Sequence, residues 1–173
     1  EEPRKRTKWM LDAISKAEMV KDEFSVTLVG NASQEFQEWV LQKNLNLTFR
    51  GYVAREELLS IMSEHDIFLF GSCLDDWGYV LIEAMSQGLC VIAPDLSPFD
   101  EIVGDPSLLY SPYSTKDFIK TVEQVISDDL QTKRRVSWER AQQLFSRKAF
   151  GRTLEELQRK SNISCIRNEN NVA

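Results

Sequence analysis

Histidine occurs once in the 173 residues and cysteine three times, and no apolar run approaches the ~20 residues that a membrane-spanning helix needs. The one histidine, His65, stands directly before an apolar stretch, where a packing or surface role is expected. A Ser–His–Asp triad would have to use it, and no G-x-S-x-G elbow is present to carry the serine. Cys73, Cys90 and Cys165 share no metal or redox spacing. Their odd number suits a reducing compartment, so a cytoplasmic location is expected. No cluster of His, Cys and carboxylate suggests a metal site. The G-x-G-x-x-G and G-x-x-x-x-G-K-[ST] phosphate loops are both missing. Even the richest apolar stretch, residues 79–85, is interrupted by Glu83. Positive charge is also in deficit: 21 Lys and Arg face 27 Asp and Glu, for a net charge of −6. An acidic chain of this kind is a poor general binder of nucleic acid or anionic membranes. No signal peptide is visible, and the chain opens on Glu1 rather than Met, which reads as an excised piece.

What is present is the makings of one globular domain. The chain is 42% apolar and 28% charged, and its length fits the usual ~100–200 residues of a single domain. The domain is expected over residues 1–160, with a polar tail at 161–173. Apolar, β-branched stretches at residues 24–30, 47–50, 66–70, 90–93 and 108–110 read as strands. Helices are expected between and after them. Residues 33–43 should turn Phe36, Trp39, Val40 and Leu41 inward, and residues 55–64 Leu58, Ile61 and Met62. Residues 78–87 form a third helix, stopped by Gly88, and 98–103 a short one. Residues 115–127 should bury Phe118, Val122, Val125 and Ile126, and a last helix runs from Leu130 to about Lys160. Apolar strands alternating with helices mean an α/β fold, a doubly wound parallel sheet covered on both faces. Ligands in such folds sit at the carboxyl ends of the strands.

At one of those ends a carboxylate interrupts an apolar helix. The helix after Gly78 is apolar nearly all round, yet Glu83 lies in its middle. A buried carboxylate must be paired or hydrogen-bonded. Glu83 therefore either lies on a single solvent-facing stripe or accepts hydrogen bonds from hydroxyls such as those of a ribose. Asp75 stands eight residues earlier, in the loop before the helix. Gly78 permits close approach of a ligand to a helix N-terminus, a natural pyrophosphate site. Near the start of the chain Arg4, Lys5, Arg6 and Lys8 crowd together, either as an anion site or as a solvated terminus.

The run from Asp75 to Met85 resembles the E-x7-E segment of retaining glycosyltransferases of the GT-B fold, the large group called family 4, which reads Glu-x-Phe-Gly-x-x-x-x-Glu-Ala. Trp77 takes the Phe place, Gly78, Glu83 and Ala84 match, and Asp75 stands for the first Glu. The likeness extends through most of the chain: the strand order, Pro98-Phe99-Asp100-Glu101-Ile102-Val103 for a Pro-x-x-Glu-Ile-Val turn, Phe145-Ser146 late on, and Lys5 where a Lys-Gly pair precedes a helix, with Arg6 replacing the Gly. The resemblance implies the C-terminal, Rossmann-like half of such an enzyme, binding a nucleotide-diphosphate sugar for polysaccharide synthesis. Asp75 would contact the transferred sugar as the catalytic carboxylate, and Glu83 would bind the ribose hydroxyls. Backbone N–H groups of Gly78, Tyr79 and Val80 would hold the pyrophosphate with help from Lys5. Gly51, Tyr52 and Val53 would border the base. Neither a metal nor another cofactor is implied.

The same resemblance implies a first strand, central in the sheet between residues 24–30 and 66–70, that the chain starts too late to include; it is expected either upstream of Glu1 or from another chain. The N-terminal, acceptor-binding domain would be absent too, and with it any peripheral contact with a membrane. The chain alone is expected to lack transferase activity. Two other readings compete. One is a non-catalytic α/β interaction module, favoured by Asp75 in place of Glu. The other is a phosphoacceptor receiver domain, disfavoured because Ala93-Pro94-Asp95 lacks the Lys that should follow the fifth strand.

Overall fold

A computed structural model describes residues 3–17, 24–74 and 78–145. It alternates strand and helix. Helix α1 (Thr7–Lys16) precedes strand β1 (Ser25–Leu28), which is followed by α2 (Gln34–Leu41), β2 (Asn46–Phe49) and α3 (Arg55–Ser63). Then come β3 (Ile67–Leu69), α4 (Tyr79–Ser86), β4 (Cys90–Pro94), α5 (Phe99–Val103) and β5 (Leu109–Tyr110). Helices α6 (Thr115–Ser127) and α7 (Leu130–Phe145) complete the described chain. Every strand pairing is parallel. The five expected strands are all present, and the α/β architecture with parallel pairing stands as read from the sequence.

The sheet is split. Among the described residues β1 pairs only with β2, while β3, β4 and β5 form a separate three-stranded group in the order β3-β4-β5. β1 and β3 do not pair with each other. Their facing edges bound a cavity of about 840 Å³, closed by Met10, Leu11 and Ile14 of α1 and by Leu58, Ile61 and Met62 of α3. At one point His65 reaches between the two halves, its Nε2 lying 2.8 Å from Thr27 Oγ1 of β1.

The main core surrounds β4. All five of its residues are buried, and since successive strand side chains point to opposite faces, both faces must be covered. Leu81, Ala84 and Met85 of α4, Phe99 of α5, and Phe118, Val122 and Val125 of α6 pack into this core. Phe118 lies 5.2 Å from Trp9 and 5.0 Å from Tyr110, ring centre to ring centre. Cys90 is fully buried, and desolvation pushes its thiol up to about 12, so it stays protonated and inert. A smaller cluster of Leu11, Phe36 and Val40 serves β1 and β2.

Ile126 faces inward as expected, half-buried against the main core. Two expectations about burial are corrected. Leu41 is 78% exposed, because α2 ends there and the helix turns only Phe36 and Val40 fully inward. β2 has its partner on one side only and alternates exposed and half-buried residues, so it is not the buried strand its composition suggested. The expected extension of α7 to about Lys160, and the tail beyond it, lie outside the described residues past Phe145.

Candidate functional site

Two loops at the carboxyl ends of β1 and β2 are tied together. Arg50 N donates to Leu28 O at 2.9 Å, and Gly30 N donates to Gly51 O at 2.6 Å. Gly51 itself has φ of 62°, a left-handed conformation that glycine adopts without a Cβ penalty. The turn it makes leaves Tyr52 85% exposed and leads through Val53 into α3, whose first residue is Arg55. Arg55 Nη2 lies 2.6 Å from Glu83 Oε1. That ion pair joins the Gly51–Val53 turn to α4, two places 28 residues apart in the chain.

Glu83 takes neither of the extreme positions its pattern allowed. Its side chain is 24% exposed, flanked by the buried Leu81, Ala84 and Met85, and turned toward the start of α3. A carboxylate with a guanidinium on one oxygen keeps lone pairs with which to accept further hydrogen bonds. The other end of α4 is shaped by Gly78, whose φ of 56° makes it the left-handed N-cap residue. A Cβ there would come within 3.1 Å of Leu81 Cδ1 and 3.3 Å of Phe99 Cδ1, so both backbone sign and space call for glycine. Tyr79 is exposed and Val80 half-buried; both line the cavity between β1 and β3, as does Lys5. Lys5 closes a 3₁₀ turn over Pro3–Lys5. Its carbonyl lies 2.7 Å from where a Cβ on Gly71 would stand, which fixes it at the carboxyl end of β3. The structure thus brings Lys5, Tyr79 and Val80 to the lining of one cavity, and Glu83 to the Gly51–Val53 turn through Arg55. α4 belongs to both groups. Asp75 lies outside the described residues. Among the described residues no group of three His, Cys, Asp or Glu could hold a metal ion.

Three further residues of interest stand beside the site. Arg55 had no local signal, since its partner is distant in sequence. Ser72 follows β3, is 2% exposed, and its hydroxyl has no hydrogen-bond partner among the described residues although it borders the cavity. The Gly71-Ser72 pair after an apolar strand was the available clue. Arg6 is the third. It has φ of 54°, which explains why a glycine stands there in the pattern this chain resembles. The guanidinium sits 4.0 Å from the Trp9 ring centre and donates to Pro112 O at 2.5 Å and Cys73 Sγ at 2.8 Å. These contacts brace the loops after β3 and β5 and offset the strain. Arg6→Ala keeps the strain and loses the contacts, and is expected to cost about 2 kcal/mol. Arg6→Gly should unfold in urea at a stability about 1 kcal/mol above the Ala variant. Equal midpoints for the two would show that the left-handed backbone is not strained.

Comparison with known proteins places this arrangement. Residues 2–144 match the family model described as glycosyl transferases group 1. The serotype-specific mannosyltransferase WbdA of Escherichia coli is 22% identical over 137 residues, which cover 74% of this chain and 17% of that protein. The 2-deoxystreptamine glucosyltransferase of Streptomyces kanamyceticus is 28% identical over 112 residues, 61% of this chain and 29% of that enzyme. Among solved structures, sucrose-phosphate synthase of Thermosynechococcus elongatus superposes with a TM-score of 0.75 at 22% identity, over 94% of this chain and 44% of that one. Anabaena HepE in complex with UDP gives 0.75 at 20% identity, over 91% and 46%. The chain thus spans less than half the length of the proteins it matches here. By the match to its family model, supported in fold by the solved structures, the chain belongs to the group 1 glycosyltransferases and forms one Rossmann-like half of their GT-B fold.

Proposed function

We propose that this domain binds the nucleotide-diphosphate sugar from which a glycosyltransferase moves a hexosyl group, with retention, to an acceptor held by a separate N-terminal domain. The observation that carries the reading is the placement of Glu83. Its half-buried carboxylate meets the start of α3 just past the Gly51–Val53 turn, while the first turn of the same helix lines the cavity that Lys5 also lines. One helix thereby offers a carboxylate for a ribose diol and, a turn and a half away, an N-terminus for a diphosphate. Gly51, Tyr52 and Val53 would border the base. Lys5 and the positive end of α4 would offset charge growing on the departing diphosphate, and Asp75 would face the sugar. HepE, similar in fold, is known with UDP. Both the mannosyl- and the glucosyltransferase relatives are named for moving hexoses. No described helix is long and apolar enough to cross a membrane, and a cytoplasmic site of action is part of the proposal.

The cavity between β1 and β3 has a place in the same reading. Two parallel strand edges that face each other without pairing can each accept a ladder of hydrogen bonds, so a further strand running parallel to both would complete the sheet. Its carboxyl end would arrive beside Pro3–Lys5 and feed α1 directly.

Titrating UDP and GDP into the protein, followed by backbone NMR, tests the donor reading. One of the two should bind and move the resonances of Gly51–Val53, Gly78–Val80 and Glu83 together. An interaction module without a donor site would show no saturable shift with either.

A further inference from the structure

Arg55 is the first residue of α3, and its guanidinium is the group that the structure sets against Glu83, Nη2 to Oε1 at 2.6 Å. The contact is lopsided. The Arg55 side chain is 71% exposed, whereas that of Glu83 is 24% exposed. An ion pair with one member so far in water adds little to fold stability. For the half-buried carboxylate, however, a cationic partner matters, because it meets a partly desolvated polar group and fixes its orientation. The pair also engages one oxygen of the two. A carboxylate offers about four lone-pair directions. A guanidinium on Oε1 therefore leaves capacity for a diol, which needs only acceptors. Arg55 moreover follows the turn of Gly51, Tyr52 and Val53 by two residues, so the ion pair points the Glu83 carboxylate toward that turn.

We propose that Arg55 is a positioning residue for the nucleotide: it holds Glu83 aimed so that the carboxylate receives the ribose hydroxyls, and it stays paired when they bind. This rests on the reading of Glu83 as the ribose carboxylate. It assigns Arg55 a part in recognising the sugar ring of the nucleotide, distinct from any contact with base or phosphate.

The test measures affinity for UDP or GDP, whichever binds, and for its 2′,3′-dideoxy counterpart, in the wild type, Arg55→Gln, Arg55→Lys and Glu83→Gln. The wild type should prefer the ribonucleotide by about tenfold or more. Arg55→Gln should erase most of that preference by weakening the ribonucleotide about fivefold to tenfold, while the dideoxy affinity holds. Arg55→Lys should retain most of the preference, since it keeps the charge. Circular dichroism should be unchanged throughout, as expected for an exposed side chain. An unaltered ratio in Arg55→Gln would overturn the proposal. A higher ratio would overturn it too, by showing that Arg55 competes with the ribose. Equal loss on both nucleotides would assign Arg55 to base or phosphate instead and likewise overturn it. If the wild type itself does not distinguish the two nucleotides, the reading of Glu83 fails first, and that result is separate from any effect at Arg55.

Discussion

Glu83→Ala is expected to weaken binding of the nucleoside diphosphate about thirtyfold, the equivalent of about 2 kcal/mol for a charged hydrogen bond lost to two hydroxyls. The fold should survive. Glu83 is not among the core residues, its ion partner Arg55 stands mostly in water, and alanine is the best helix former. Helix α4 keeps its buried side, Leu81, Ala84 and Met85, untouched. Isothermal titration with thermal melting separates the two effects: affinity should fall while the melting temperature stays within a few degrees. Wild-type affinity in this variant would remove Glu83 from the site and take the donor reading with it.

Filling the cavity between β1 and β3 should have the largest effect on stability. A five-residue extension of alternating Val and Ile joined ahead of Glu1 would supply a parallel strand to both edges. Ladder hydrogen bonds on two sides and burial of β-branched side chains should outweigh the cost of ordering five residues, leaving about 3–5 kcal/mol of net gain. Urea unfolding should shift to higher midpoint, and the backbone amides of β1 and β3 should become slow to exchange with deuterium. An extension of alternating Ser and Gly controls for length and should do neither. If the apolar extension leaves both the midpoint and the exchange unchanged, the slot does not accept a strand.

Much of the fold was readable because periodicity reports burial directly. β4 is buried on both faces and reads as a continuous apolar run, and α6 was found at both its ends, Thr115 and Ser127, because Ser114 caps it and its apolar stripe is regular. Burial at the margins was less legible. Leu41 looks like a core residue by type, but α2 is short and its last turn projects past the strands it covers. Within the site, local features could be read from local patterns: the helix start at Gly78, the turn at Gly51 and the carboxylate at Glu83. The Arg55–Glu83 pair could not, because it exists only once two helices have been packed side by side. Arg6 was visible as a departure from a glycine, but its contact with Pro112 spans 106 residues and has no trace in sequence.

Helix α1 divides its loyalties: Leu11 packs with Phe36 and Val40 on one side, while Met10, Ala13 and Ile14 belong to the core around β4. The β1–β2 lobe therefore hangs largely on one helix and should open as a separate unit, at lower free energy than the rest. The Gly51–Val53 turn rides on that lobe, whereas the start of α4 is anchored in the larger one. A nucleotide gripping both would act as a staple across the weakest seam in the molecule. Its affinity would then be linked to the opening equilibrium of that seam, and any variant that loosens the smaller cluster would lower affinity without touching a single ligand contact.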